Sequence, residues 1–245
     1  MIPNEWKQKI TQYFYTNSMI LTNSIMYNIQ SLAMKKRICA LITKNRRETF
    51  DTFPEIPYTK WQTSLSVSLE RNEFLEIFEK MYFLTKDPKL LYFKYKLLHR
   101  NIITNRNLRM WDANKPIHEQ RSENCTFCNR YPEYIEHFLY DCYVSKTLWN
   151  SIFQWVFNCT GLSINFTRTQ ILLGTAPDEL QIFNLIFMIV TKYIHDCKCL
   201  DQTPNTYLLK YKIKQYFLAE RLIAEQKNKI ISFNEKWDCL LNCFD

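Results

Sequence analysis

The sequence predicts a mainly α fold, helical domains interrupted by one small irregular insert. Three observations carry that prediction. Only two of the 245 residues are glycine, Gly161 and Gly174. Tight primed hairpin turns favour glycine, so a sandwich or barrel of many strands is disfavoured. Apolar residues recur at three- and four-residue spacing along much of the chain, the period of an amphipathic helix. That period fails between Gln120 and Pro132, where a cysteine pair stands. A hydrophobic share of 47% and an aromatic share of 16% supply a packed core and argue against disorder.

The elements follow in order. Residues 5–47 read as helical, broken by polar Asn and Thr, and close on Lys35, Lys36, Arg37, Lys44, Arg46 and Arg47 with no acid among them. Pro54 and Pro57 mark a linker, so 1–57 is set apart as an N-terminal helical segment. Trp61–Leu69 and Glu73–Leu84 are helical, the latter with Phe74, Ile77, Phe78 and Met81 on one stripe. Pro88 suits the first turn of a helix running to about Arg100. Its apolar stripe is Leu90, Phe93 and Leu97, and Lys89, Lys96 and Arg100 line up on the outer side. Helical spacing returns at Glu133–Tyr140 and Val144–Val156, which closes a second region, 58–157. Residues 158–245 form a third, with helices over Leu180–Cys197, Asn205–Glu225 and Ile230–Leu241.

Inside the insert, Cys125 and Cys128 stand three apart, followed by His137 and Cys142. Two cysteines on a tight knuckle can face one ion, and a histidine and cysteine on a following short helix can close a tetrahedron. Three thiolates and an imidazole form a standard closed zinc set, with no open position for catalysis. The insert is thereby read as a CCHC zinc knuckle, with zinc as the cofactor. With so little glycine available, Asn129 is the residue expected to turn left-handed there. Ordinary buried thiols are the competing reading for this set. They are the preferred one for Cys39 and Cys159, and for His195, Cys197 and Cys199, which lack a fourth partner.

Catalytic constellations are scarce. Two isolated glycines cannot build a phosphate loop or a dinucleotide fingerprint. There is no Asp-Asp pair and no G-x-S-x-G. Pro177-Asp178 with Asp196-Cys197-Lys198 imitates a metal-dependent nuclease signature, but Asp196 ends a helical stretch where that signature needs a strand. The chain is therefore expected not to be an enzyme and to take no small-molecule substrate. No continuous apolar run suits a signal peptide or a membrane span, so an intracellular place, nucleus or cytoplasm, is expected.

The charge distribution points to a polyanion. The chain carries a net +8, and Lys86–Arg109 alone holds seven bases against one acid. Tyr92, Phe93, Tyr95 and Trp111 are interleaved with these bases, a pattern that suits phosphate contact plus base stacking. Lys89, Lys94, Lys96, Arg100, Arg106 and Arg109 are the candidate contacts, with RNA or DNA as partner. A solvated helix face is the alternative meaning of such a run.

Phe93-Lys94-Tyr95-Lys96-Leu97-Leu98-His99-Arg100, then Thr104-Asn105 and Leu108, lead into the Cys-Cys-His-Cys set and Trp149. This order resembles the zinc-binding region of LINE-type (non-LTR) retrotransposon reverse transcriptases. Ile2-Pro3 with Trp6-Lys7, Lys60-Trp61, Ile171–Gly174, Lys192-Tyr193-Ile194 and Glu235-Lys236-Trp237 are similar to further pieces of that family's tail. The resemblance implies a non-catalytic segment that binds element RNA or target DNA beside a polymerase core. Cys125, Cys128, His137 and Cys142 would be its zinc ligands, and Lys96, His99 and Arg100 would lie near the finger with the basic members facing nucleic acid. The polymerase motifs are missing from this sequence, which makes a truncated or remnant element protein the expectation. The alternative is an architectural tail that docks on a reverse transcriptase core, with zinc purely structural.

Overall fold

A computed structural model describes residues 54–244, and the helical segment expected at 5–47, with Cys39 and its basic cluster, lies outside them. Nine α-helices are present among the described residues: α1 (Glu55–Leu65), α2 (Arg71–Leu84), α3 (Pro88–Leu98), α4 (Asn105–Trp111), α5 (Tyr143–Thr160), α6 (Arg168–Leu173), α7 (Ile182–Cys199), α8 (Thr206–Gln226) and α9 (Ile230–Trp237). A π-turn occupies His137–Asp141, and the chain closes on a 3-10 turn, Asp238–Cys243. Extended pairing among the described residues is limited to a bridge between Asn124 and Pro132.

Local chemistry sets the boundaries. Asp87 accepts from the Lys89 amide at 2.8 Å and Pro88 opens α3, so this helix starts where the sequence puts it. Thr104 with Asn107, and Thr167 with Gln170, form reciprocal caps on α4 and α6. Asn205 caps α8 through the Leu208 amide. Gly161 and Gly174 end α5 and α6 with φ of 73° and 75°. Left-handed backbone at these exits is what glycine permits without strain.

Helix α7 is the centre. Residues 182–191, 193, 194 and 197 are all buried, so its first half is buried around the whole circumference rather than along one stripe. Helices α2, α3, α6 and α8 and the π-turn pack around it. Contacts therefore cross the 157/158 division drawn from the sequence. Helix α5 packs on the closing 3-10 turn and on α8. There Phe217, Phe233, Trp237 and Phe244 form one aromatic cluster, with Phe217 and Phe244 stacked at 4.3 Å. Lys236 fastens this end to α2, donating to the Leu84 carbonyl at 2.6 Å and to Glu220 at 2.7 Å.

One expected nucleic-acid contact lies in this interior. Lys94 is 2% exposed, and its Nζ donates to the Leu172 carbonyl in α6 at 3.0 Å. The placement follows from α3 itself, since Lys94 is four residues past Leu90 and three before Leu97, on the apolar stripe. The amine offers a donor to a carbonyl in the last turn of α6, where the helix leaves its carbonyls without backbone partners. A Cβ on Gly174 would stand 3.0 Å from that Nζ, so the lysine end would have to give way slightly, on top of the strain of the left-handed φ. Lys94 is thus part of the packing and not of a nucleic-acid surface.

Burial pushes the Lys94 ammonium from its ordinary 10.5 down to about 7. Between those values the unfolded chain holds more protons than the folded one, so stability climbs with pH across that window. Denaturant titrations from pH 7 to 10 are expected to show this rise, and Lys94→Met is expected to flatten it. A wild-type slope that Lys94→Met leaves unchanged refutes the assignment.

Candidate metal centre

The knuckle is a small hairpin. Cys125 donates its amide to the Tyr131 carbonyl and accepts from the Asn129 amide, both at 2.8 Å. Asn129 turns the chain with φ of 50°, as expected from the scarcity of glycine. Asn124 Nδ2 closes the loop on the Asn129 carbonyl at 3.2 Å. Cys125 and Cys128 are thereby turned to one side.

The other two ligands come from the π-turn. At about 3.6 residues per turn, positions five apart diverge by roughly 140° on an α-helix. His137 and Cys142 are five apart, and here the Cys142 amide reaches back to the His137 carbonyl at 2.7 Å. This wider i→i+5 turn brings both side chains to the same side. Ser145 Oγ and Trp149 Nε1, from α5, hold the turn by donating to the carbonyls of Phe138 and Leu139.

Cys125, Cys128, His137 and Cys142 each offer one ligand atom, and these atoms lie within 4.8 Å of one another. The Cys125 and Cys142 sulfurs are 3.9 Å apart, and Cys128 Sγ is 3.3 Å from His137 Nε2. Tetrahedral zinc with S-donor bonds near 2.3 Å needs sulfurs about 3.8 Å apart, so the cage is of the right size. The thiols already share charge: the hydrogen bond between them pushes Cys125 up and Cys142 down, with burial adding to the rise at Cys125. Desolvation lowers His137 and keeps its imidazole neutral, the form a metal takes as ligand. Three thiolates around a divalent ion would leave one net negative charge, and the charges acting on His137 are the carboxylates of Asp141 and Glu133 and the ammonium of Lys146. With zinc bound, these four donors would complete its tetrahedron and hold the loop together.

Two carboxylates that sequence reasoning missed dock the knuckle on the helices. Glu133 is fully buried. Its Oε2 accepts from the amide and hydroxyl of Thr126 at 2.9 and 3.0 Å. Its Oε1 accepts from the Asn105 amide at the start of α4 at 2.8 Å and pairs with Lys198 Nζ of α7 at 3.0 Å. Glu136 pairs with Arg100, whose guanidinium also donates to Ser64 Oγ and lies 4.4 Å over the Trp61 ring. Trp61 in turn donates to the Leu98 carbonyl at 2.9 Å.

Arg100 needs the same correction as Lys94. Helix α3 stops at Leu98, and Arg100 takes φ of 54°, which carries it off the line of Lys89 and Lys96 and into the knuckle. Of the remaining cations, Lys89 is exposed, Lys96 lies 5.7 Å from the Tyr92 ring, and Arg106 sits 4.4 Å over the ring of Tyr134. Arg109 sends Nη1 into a buried position without a hydrogen-bond partner.

The other candidates do not assemble. Among the described residues the CCHC set is the one metal-capable cluster: His195 meets Cys199 at 3.6 Å, while Cys197 is buried apart from a fourth ligand. The nuclease-like acids are divided by α7, with Asp178 before its start and Asp196 about 20 Å of helix rise further on. Asp196 pairs with Lys192 and Lys198 with Glu133, so the imitated triad is spent on structure.

Residues 61–149 match the family model described as zinc-binding in reverse transcriptase. The matched stretch starts at the tryptophan that Arg100 covers and ends at the tryptophan that holds the π-turn. Zinc is the metal that this domain binds, and the donor set here suits it. No curated protein and no solved structure matches the chain.

Purified chain is expected to hold one zinc per molecule, and Cys125→Ser or Cys142→Ser to lose it, by elemental analysis. Chelation is expected to melt the knuckle and spare most of the helical circular dichroism, because the α7 core uses no ligand. Glu133→Ala leaves Lys198 buried beside an empty site and is expected to cost about 3–5 kcal/mol in denaturant unfolding. A cost below 1 kcal/mol contradicts the docking role.

Proposed function

We propose that this chain is a non-catalytic, zinc-stapled module of the LINE-type reverse transcriptase kind, and that it binds RNA or DNA. The observation that carries this reading is the surface beside the metal cage. Tyr131, Tyr134 and Tyr143 are all exposed, and arginines lie over two of these rings, Arg106 on Tyr134 at 4.4 Å and Arg130 on Tyr143 at 5.9 Å. Cations supply phosphate contacts and aromatic rings supply faces for bases. With Lys94 and Arg100 turned inward and Arg109 partly buried, the interface comprises Lys89 and Lys96 on α3, Arg106 on α4, and Arg130 and Lys146 around the cage.

The architectural reading keeps one observation of its own. Tyr207, Tyr211, Leu218 and Leu222 are exposed along one side of α8, opposite the side that carries Leu209, Ile213 and Phe217 into the core. Such a stripe suits docking on another protein.

A salt titration separates the two. Binding to RNA or DNA is expected to weaken linearly in log-log form as salt rises, with a slope set by the phosphates engaged. Arg106→Ala with Arg130→Ala is expected to weaken binding and reduce that slope by about 2. Absence of binding at moderate salt, with concentration-dependent self-association relieved by Leu218→Ser and Leu222→Ser, favours the architectural reading.

A further inference from the structure

A groove of about 400 Å³ opens beside the cage, lined by Tyr131, Tyr134, Glu136, His137, Asp141 and Arg168. The volume is at the small end for ligand sites, which run about 300–1,000 Å³, so it accommodates one nucleotide and not a duplex. Two of its lining rings remain open to solvent, Tyr131 at 63% and Tyr134 at 44% exposure. Each ring has a neighbour. Tyr131 leans on the metal-ligating His137 ring at 5.7 Å, and Tyr134 carries the Arg106 guanidinium. Exposed aromatics next to a cation are what stacking on an unpaired base requires.

We propose that this groove seats one unpaired nucleobase of a single strand, stacked against Tyr131 and Tyr134, and that Asp141 reads its edge. The inference rests on the nucleic-acid reading above and adds the strandedness and the base contact. The polar groups behind the rings select the edge. Glu136 is neutralised by Arg100. Asp141 accepts from Arg168 Nη1 through Oδ2 at 3.0 Å, and Arg168 Nη2 is held by the Ser64 carbonyl at 3.0 Å. A carboxylate has about four lone-pair positions, so Asp141 retains acceptor capacity at the groove. Adenine, guanine and cytosine carry exocyclic amino donors, and thymine and uracil carry none. Asp141 therefore favours an amino-bearing base.

The full chain, loaded with zinc, is titrated at one salt concentration with oligo(dC) and oligo(dT) twelve-mers and with a mixed-sequence duplex of equal length. Tyr131→Ala with Tyr134→Ala is expected to weaken single-strand binding about tenfold and to leave duplex binding and the salt slope unchanged. Tyr131→Phe with Tyr134→Phe keeps the rings and is expected to bind as wild type. Oligo(dC) is expected to bind several-fold tighter than oligo(dT), a preference that Asp141→Ala removes. If wild type binds in a salt-dependent way and the alanine pair matches it on single strands, the groove is refuted and the proposed function stands. If wild type binds neither form, the proposed function fails and the groove with it. Equal binding of the two oligonucleotides overturns the role of Asp141. Should the alanine pair lose its zinc, photocrosslinking on wild type decides: adducts at Tyr131 or Tyr134 support the site, and adducts confined to other residues overturn it.

Discussion

The knuckle depends on two carboxylates for its place in the molecule. A hairpin this short has too little apolar surface to form a core, so a metal can close it without orienting it on anything. Glu133 and Glu136 supply the orientation. Each is buried, and each finds its cation on a distant element, Lys198 in α7 for Glu133 and Arg100 beyond α3 for Glu136. Buried charge costs several kcal/mol unless paired and hydrogen-bonded, and Glu133 meets that condition with four donors from three parts of the chain. A shift of the knuckle by one residue would strand both carboxylates. The pairing thus specifies one docking geometry more strongly than apolar contact, which tolerates sliding.

How much of this was legible in the sequence depends on the range over which each residue acts. Helix spans, caps and the left-handed Asn129 depend on neighbours within four or five positions; α2, α3, α5, α7, α8 and α9 fall within a few residues of the expected spans, while α1 starts at Glu55 inside the expected linker and α4 and α6 form where no helix was expected. The metal ligands were legible for a different reason: soft thiolate and imidazole donors are few, and their spacing is constrained by the cage. Glu133, Glu136 and Arg100 were not, because their partners lie far along the chain, 28 residues for Glu133 and Asn105 and 36 for Arg100 and Glu136. Lys94 falls between these cases. Its position between Leu90 and Leu97 already placed it on the buried side of α3, but a run of positive charge concealed that register.

Lys94 and Arg100 also change what the net charge means. Counted in sequence, α3 is a basic helix aimed at a polyanion; in the fold, one of its cations holds the last turn of α6 and the arginine just after it holds the knuckle. Acidic side chains, meanwhile, collect in a cleft between α2, the turn before α7 and α9, where Glu73, Glu76, Asp178, Glu179, Glu235 and Asp238 lie. A polyanion is repelled there. Arg106, Arg130 and Lys146 stand around the cage and Lys89 and Lys96 on α3, outside that acidic cleft, a local contrast that the total of +8 does not convey.

The arginine-on-tyrosine pairs beside the cage connect this contrast to recognition. A guanidinium is planar, and its N–H donors point outward from the edge of the plane. Arg106 places its Cζ 4.4 Å from the Tyr134 ring centre, an attraction through the ring face that uses none of its N–H donors. The stack therefore removes rotamer freedom without consuming hydrogen bonds, which makes a later contact with phosphate cheaper in entropy. Arg100 shows the opposite use of the same geometry: its face covers Trp61 while its edge is consumed by Ser64 and Glu136. Two arginines six residues apart are thus both stacked on aromatic rings, and their edges decide which one builds the domain and which one is left to meet a ligand.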